Sequence, residues 1–432
     1  MLHSVTLIKE KCKGCTKCIK KCPTEAIRVR RGRAVIMEEK CIDCGQCIIV
    51  CPHYAKKAAY DSLERMDEFR YAVALPAPSL YGQFKNLDDV NLILSGLLRM
   101  GFDDVFEVSV GADLLSDFVR NNTAKTAVEG PMISSACPAV VRLICMRFPK
   151  LIGNISKHIA PVEIAAICAR QEAMKKTGLS ADEIGIFFIT PCPAKITAIH
   201  SPSHLKEPVI DGAFSMIDIY RKLLHHMQRK NLPNLVKSKA AGVGWALSGG
   251  ELYAGSLEES IAVDGIEHVI NILEDVEDGQ LSHVHFLELA ACHQGCVGGC
   301  LAVANPFIAK VRIQNLIKGM KATETALPAY DFPEERFLSE KPLEENSVWQ
   351  LAENRMVAME RYHKIIALTE LLPGLDCGSC GTPGCRALAQ DVVLGLASED
   401  DCIFRMRERM QKMGNTGNTD DYLPPPFRKG DD

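Results

Sequence analysis

Apolar residues in this chain gather into short runs separated by amphipathic stretches. Pro131–Ser135, Ile184–Thr190 and His283–Ala290 are runs of this kind, and Tyr71–Leu75 and Val105–Val110 are two more. Short apolar runs bounded by Pro or Gly, without alternation, predict strands covered on both faces, as in a parallel sheet. Helical spacing appears over Leu87–Met100, from Asp113 to Arg120, and over Pro138–Phe148, Pro161–Lys175 and Glu267–Glu277. Strand and helix signals alternate to about residue 317, which predicts an α/β core with right-handed crossovers.

The pattern changes at both ends. Residues 1–60 are rich in cysteine, with a hairpin signal over Ile27–Met37 and Arg31-Gly32 at its turn. Asp61–Phe69 is charged and helix-prone and reads as the connection to a central domain at 70–320. From Ala322 to Asn346 proline and acidic residues break the rhythm, as in a linker. A long helix is expected over Val348–Leu371, then a cysteine-rich segment, giving a third domain at 347–411. The remainder, 412–432, is polar and proline-rich, a composition expected to be disordered.

Composition narrows the class. The chain has 432 residues, 47% of them hydrophobic and 24% charged, with a net charge of −4, so it carries no electrostatic footprint for nucleic acid. No apolar stretch reaches the ~18 residues that a bilayer span needs. The first ten residues lack a secretory pattern, so a cytoplasmic location is expected. Against that background 19 cysteines do not read as a disulfide framework, which needs a secreted context, and their tight clusters point to iron–sulfur or zinc.

Cys12-x2-Cys15-x2-Cys18-x3-Cys22-Pro recurs as Cys41-x2-Cys44-x2-Cys47-x3-Cys51-Pro. This is the bacterial two-cluster ferredoxin spacing, in which the fourth cysteine of each run turns to the other cluster. One 4Fe–4S cluster should take Cys12, Cys15, Cys18 and Cys51, and the other Cys41, Cys44, Cys47 and Cys22. Near the C-terminus, Cys377-x2-Cys380-x4-Cys385 is followed, after a helical stretch, by Cys402. That spacing resembles small 4Fe–4S domains of corrinoid iron–sulfur proteins and ion-translocating electron-transport complexes. Zinc is the competing occupant at both ends.

The central domain carries three further motifs: Ser134-Ser135-Ala136-Cys137-Pro138, Thr190-Pro191-Cys192-Pro193-Ala194-Lys195, and Cys292-His293-Gln294-Gly295-Cys296-Val297-Gly298-Gly299. Each follows an expected strand, and ligands of α/β sheets sit beyond the carboxyl ends of strands. Four thiols should therefore converge at one sheet edge, with Cys292 and Cys296 on one face if their turn is helical. Ser79, in the loop after the first strand, and Ser248-Gly249, which let backbone approach a bulky group, are candidate cofactor contacts.

The three motifs, with Ala77-Pro78-Ser79, Gly111-Ala112-Asp113-Leu114 and Leu247-Ser248-Gly249-Gly250, resemble the [FeFe]-hydrogenases over Tyr71–Ile317. The resemblance implies a central domain of two mainly parallel sheets flanked by helices, an α+β ferredoxin module before it and a small helical cluster domain after it. It implies a 4Fe–4S cluster on Cys137, Cys192, Cys292 and Cys296, with Cys296 bridging to a diiron subsite that carries CO, cyanide and a dithiolate. Lys195 would donate to a cyanide. With the two end domains this makes four 4Fe–4S clusters on sixteen of the 19 cysteines, leaving Cys145 and Cys168 as buried thiols and Cys300 as a free thiol in the following helix.

The sequence also departs from that family. Its usual proton-carrying cysteine is Ala136 here, a usual glutamate is Ala198, and a usual methionine is Ala290. Loss of a close general acid lowers a rate by about 10²–10⁴-fold, unless Glu163, Glu288 or Cys300 provides another route. These losses resemble the sensory branches of the family. The expectation is slow, reversible chemistry between H2 and protons, with a ferredoxin-like or signalling protein as redox partner and no membrane or nucleic-acid partner. A homo-oligomer is compatible with the sequence. The alternative is an electron-transfer or cluster-assembly protein of the same fold without the diiron unit.

Overall fold

The structure is a computed structural model that describes residues 3–122, 130–229, 232–321, 327–330 and 332–413. The expected tail at 412–432 therefore lies, beyond residue 413, outside the described residues. The chain divides into two compact units that do not follow sequence order. The first comprises Met1–Thr6, Cys41–Ile49 and Lys57–Asn346; the second comprises Leu7–Lys40, Val50–Lys56 and Ser347–Asp432.

The first unit contains two parallel sheets. One has four strands in the order Asp104–Val105, Tyr71–Pro76, Ile184–Thr190, Gly212–Ser215. Tyr71 pairs with Ile184 and Pro76 with Ile189, so the two central strands run side by side over their whole length. Every residue of Ile184–Thr190 is buried, because Phe187 stacks on Phe214 at 5.1 Å and apolar side chains cover both faces. The other sheet has three strands in the order Ser260–Asp264, Phe286–Ala290, Met132–Ile133, again parallel. The helices Val108–Asn122, Pro138–Arg147, Pro161–Thr177, Ile266–Glu277 and Pro306–Lys321 flank these sheets.

Three expectations need correction. The strand expected at Val105–Val110 ends at Val105, and a helix already begins at Val108. Gly111-Ala112-Asp113 therefore lies inside a helix. A Cβ on Gly111 would stand 2.1 Å from the Pro161 carbonyl oxygen, so glycine is what allows the neighbouring helix to pack so close. Asp113 accepts hydrogen bonds from the amides of Lys239 (2.7 Å) and Gly242 (2.7 Å), a structural duty. Second, the segment read as a linker is packed: Phe337 is buried and stacks on Phe118 at 4.5 Å, and the Asn346 amide donates to the Cys145 carbonyl. Aromatic residues scattered among prolines lack periodicity, so the pattern hid their burial. Third, the long helix is Arg355–Leu371, started where Asn354 Oδ1 accepts from the Met356 and Val357 amides.

In the second unit the hairpin Ile27–Arg30/Arg33–Ile36 turns at Arg31 (φ 50°) and Gly32 (φ 74°), the left-handed pair that a tight hairpin requires. No helix among the described residues is long and apolar enough to cross a membrane.

Candidate metal centre

The three central motifs meet. Cys137 and Cys192 cap the helices Pro138–Arg147 and Pro193–His200, each with proline as the first helical residue. Both sulfurs thus sit at a helix amino end, where thiolate character is favoured. Strand Phe286–Ala290 delivers Cys292 and Cys296, but not through an α-helix. The chain passes through Gln294 (φ 64°) and Gly295 (φ 83°) into a single 3-10 turn, Gly295–Gly298. A Cβ on Gly295 would lie 2.6 Å from the Ser248 amide nitrogen, and one on Gly299 2.5 Å from the Pro191 carbonyl oxygen. Glycines therefore let the third motif lie directly on the second motif and on the run at 246–248.

All four sulfur-bearing residues, Cys137, Cys192, Cys292 and Cys296, line one cavity. Burial pushes the thiol of Cys137 up, that of Cys192 up to about 12, and that of Cys292 well up. Neighbouring sulfurs add to each rise, which places the thiols within electrostatic reach of one another. Lys195 Nζ lies 3.7 Å from Cys296 Sγ. Burial acts to lower its pKa, but Cys296, Cys192 and Cys137 outweigh burial and hold the ammonium above its ordinary value. One ammonium could not balance four thiolates in a low-dielectric wall, and an iron–sulfur cluster held by Cys137, Cys192, Cys292 and Cys296 would supply further positive charge. Ser79 Oγ, fully buried in the same wall, has no hydrogen-bond partner among the described residues, and an orphaned donor of this kind fits a bound group. The residues present fit the cluster.

Ser248 and Gly249 are placed differently from the expectation. Neither lines the cavity among the described residues. The Ser248 amide donates to the Gln294 carbonyl (3.2 Å), and the Gly249 amide donates to Glu288 Oε1 (2.8 Å). The Ser248 amide braces the third motif and the Gly249 amide holds Glu288, so both backbone donors are already engaged.

Two carboxyl groups share the cavity wall. Glu288 is the one charged residue of its strand, and its Oε2 also accepts from the Leu252 amide (3.1 Å). Glu251 Oε2 accepts from Ser134 Oγ at 2.5 Å. Burial first, and then the charge of Glu288, raise Glu251 to about 8, and burial raises Glu288. The sequence reading missed Glu251, since an acid in the first turn of a helix reads as solvated. Its position directly after Gly249-Gly250 was the available signal. Ala136 and Ala290 line the same cavity, and Ala136 and Ala198 line a second, mostly apolar one with Glu163 and His204. Burial raises Glu163 to about 7, but its Oε2 accepts from the Ala160 amide (2.7 Å). Cys300 is not in the helix that follows, which begins at Pro306. Its sulfur packs on Gly45, where a Cβ would come within 2.5 Å, so it lies against the ferredoxin-type loop and outside the cavity wall. His293 is largely exposed, 3.6 Å from Asp264.

That loop is tied to the centre through Asp43, which is buried between Cys41 and Cys44. Asp43 accepts from the amides of Ser4 (3.2 Å) and Val5 (3.0 Å), from Thr197 Oγ1 (2.9 Å) and from Arg142 Nη1 (3.0 Å). Thr197 and Arg142 sit on the two helices capped by Cys192 and Cys137. Cys41, Cys44 and Cys47 belong to this unit, and Cys22 to the other. In the second unit Cys12, Cys15, Cys18 and Cys51 line one cavity. The repeat shows in the sulfur bonds: the amide of Ala26 donates to Cys22 Sγ (3.2 Å) as that of Ala55 donates to Cys51 Sγ (3.3 Å). At the C-terminal end Cys380, Cys385 and Cys402 pack together, and burial and the other two thiols raise that of Cys402.

The family of the iron only hydrogenase large subunit, C-terminal domain, matches residues 70–254 and 210–300, more than half of the chain, and the chain belongs to it. A 4Fe-4S dicluster domain matches residues 4–52, and an Fe–S cluster family matches residues 372–404. Iron hydrogenase 1 of Clostridium pasteurianum is 25% identical over 306 residues, covering 56% of this chain and 53% of that protein. The periplasmic [Fe] hydrogenase large subunit of Nitratidesulfovibrio vulgaris is 29% identical over 213 residues, covering 45% and 51%. The chain thus spans about half the length of these relatives. Among solved structures, an apo [FeFe]-hydrogenase variant from Chlamydomonas reinhardtii gives a TM-score of 0.48 at 14% identity, covering 67% of this chain and 98% of that one.

Proposed function

We propose that the chain is an iron–sulfur oxidoreductase of the [FeFe]-hydrogenase type that interconverts H2 with protons and electrons slowly and serves a sensory role. The observation that carries this reading is the half-buried Lys195 ammonium 3.7 Å from Cys296 Sγ in a wall of four thiols. A compact cation at that point has a purpose if an anionic ligand such as cyanide stands beside the bridging sulfur. The diiron subsite, when bound, supplies the H–H bond chemistry, and the protein supplies orientation and proton access.

The chain's own residues then have distinct duties. Cys137, Cys192 and Cys292 hold the cluster, and Cys296 holds it and reaches onward. Ser79 Oγ is a free donor to the group. Ala136 and Ala290 carry no proton, so the proton is held at the carboxyl of Glu251, with Glu288 beside it. Burial and the charge of Glu288 raise the Glu251 carboxyl, which favours its protonated form. The chain ends the cavity on an acid of suitable affinity, but one fixed by Ser134 and Glu288 rather than on a swinging thiol, which fits low turnover.

The test is H2 evolution by the matured protein with a reduced dye, beside Cys296→Ser. The wild type should evolve H2 slowly, and the variant should lose all of it while keeping the iron of its end domains. Equal rates in both would end this reading.

A further inference from the structure

The hairpin of the second unit carries Arg28 and Arg30 on one strand, a pattern that predicts solvated charges. Arg28 is instead only 4% exposed, and its partner Asp391, from the helix Cys385–Val393, is also 4% exposed. Arg28 grips the carboxylate with two bonds, Nε to Oδ2 at 2.7 Å and Nη2 to Oδ1 at 3.0 Å. Arg30 Nη2 adds a bond to Oδ2 at 2.8 Å, and its Nη1 donates to the Cys380 carbonyl at 3.1 Å. Buried charges persist only when paired with good geometry, and a bidentate guanidinium fixes orientation as well as distance.

The backbone joins this clasp. The Val29 amide donates to the Gly381 carbonyl at 2.8 Å. Gly381 (φ 80°) could carry no side chain, because a Cβ would stand 2.0 Å from the Val29 carbonyl oxygen. Gly378 lies on the first half of the ferredoxin-type module: a Cβ there would meet Lys20 Cε at 3.3 Å and Ile19 Cδ1 at 3.5 Å. Ile19 directly follows Cys18, and Gly378 directly follows Cys377. The residues that directly follow one cysteine of each ligand set thus approach each other, with room for no more than a methyl group between Gly378 and Ile19. Lys40 Nζ, 4.2 Å from the Trp349 ring, seats the segment that leads to the C-terminal helix.

We propose that the C-terminal cluster domain is clasped to the ferredoxin-type module as its electron-exchange partner within the chain. It exchanges single electrons between the cluster on Cys12, Cys15, Cys18 and Cys51 and the cluster on Cys377, Cys380, Cys385 and Cys402. One cluster loses an electron and the other gains it; no bond is made and no proton moves. Two guanidiniums face one carboxylate at the junction and hold the two loops in fixed register. The proposal rests on the cluster assignments above and not on H2 chemistry, so it can fail or stand independently of that reading.

The test uses the full-length, cluster-loaded protein reduced chemically without H2, read by iron content and electron paramagnetic resonance. Two reduced clusters held this close should broaden each other's signals. Cys402→Ser should remove the C-terminal cluster and leave the ferredoxin-type signals sharpened, with their iron intact. Gly381→Ala, which forces the loop off the hairpin, and Asp391→Asn, which loosens the clasp, should lose the broadening while iron content stays at the wild-type level. If either variant also loses the C-terminal iron, Cys402→Ser against wild type decides. Ferredoxin-type signals identical in wild type and Cys402→Ser would overturn the proposal, as would undiminished broadening in Gly381→Ala.

Discussion

The cavity of the central domain has two walls that differ in kind. The sulfur wall, Cys137, Cys192, Cys292 and Cys296 with Lys195, carries every group that the resemblance to [FeFe]-hydrogenases implies. The same cavity is also lined by Ala136 and Ala290, where the resemblance leads one to expect a thiol and a thioether, and by Glu251 and Glu288. Holding metal depends on fixed geometry, so its residues sit at helix caps and glycine-braced turns. Moving protons needs only an acid of suitable affinity within reach, which different elements can provide. The difference teaches that the ligand set carries the resemblance, whereas the acid is the part on which the proposed rate depends.

The largest effect that separates the walls is expected from Glu251→Gln, which keeps the shape and removes the proton. H2 evolution should fall by about 10²–10⁴-fold with iron content unchanged, and Glu251→Asp should recover part of it. A loss under threefold would remove Glu251 from the proton route. Next is Ala136→Cys, which gives the wall back a thiol. Turnover should rise, by up to about 10²-fold, measured with the same reduced dye. No gain would show that the alanine is not what limits the rate.

A smaller effect is expected from pH. Glu251, raised to about 8, can donate below that value and not above it. H2 evolution should therefore decline as pH rises through about 8, and Glu251→Gln should lack that limb. The sign for stability agrees. A carboxyl that binds its proton more tightly when folded favours folding most at low pH, and this contribution is lost as pH rises toward its folded pKa. Metal-free protein should accordingly melt at lower temperature at pH 8.5 than at pH 6. The least effect on either wall belongs to Phe337→Ala. It should cost about 3–5 kcal/mol in stability by emptying the stack on Phe118, with the infrared and paramagnetic signatures of loaded protein unchanged.

Much of the sulfur wall is legible in the sequence, because thiol ligands come in dense motifs after apolar strands. Strand Ile184–Thr190 and helix Pro161–Thr177 are readable for the same reason: their patterns are long and unbroken. The carboxylate wall is harder to read. Glu288 stands out as an acid in an apolar strand, but Glu251 is one acid among many until folding brings Ser134 to it. The helix at Val108 was hidden by the β-branched residues around it, whose propensity yields to the packing of Gly111 on Pro161. The burial of Arg28 is invisible for the opposite reason: its partner Asp391 lies at the far end of the chain.

The infrared spectrum of the matured protein tests the central claim most directly. Bound CO and cyanide absorb where protein does not. Bands in that window, lost in Cys296→Ser, are the result expected if the four-thiol cavity holds a cluster bridged to a diiron subsite. A fully iron-loaded protein with no such bands would contradict it.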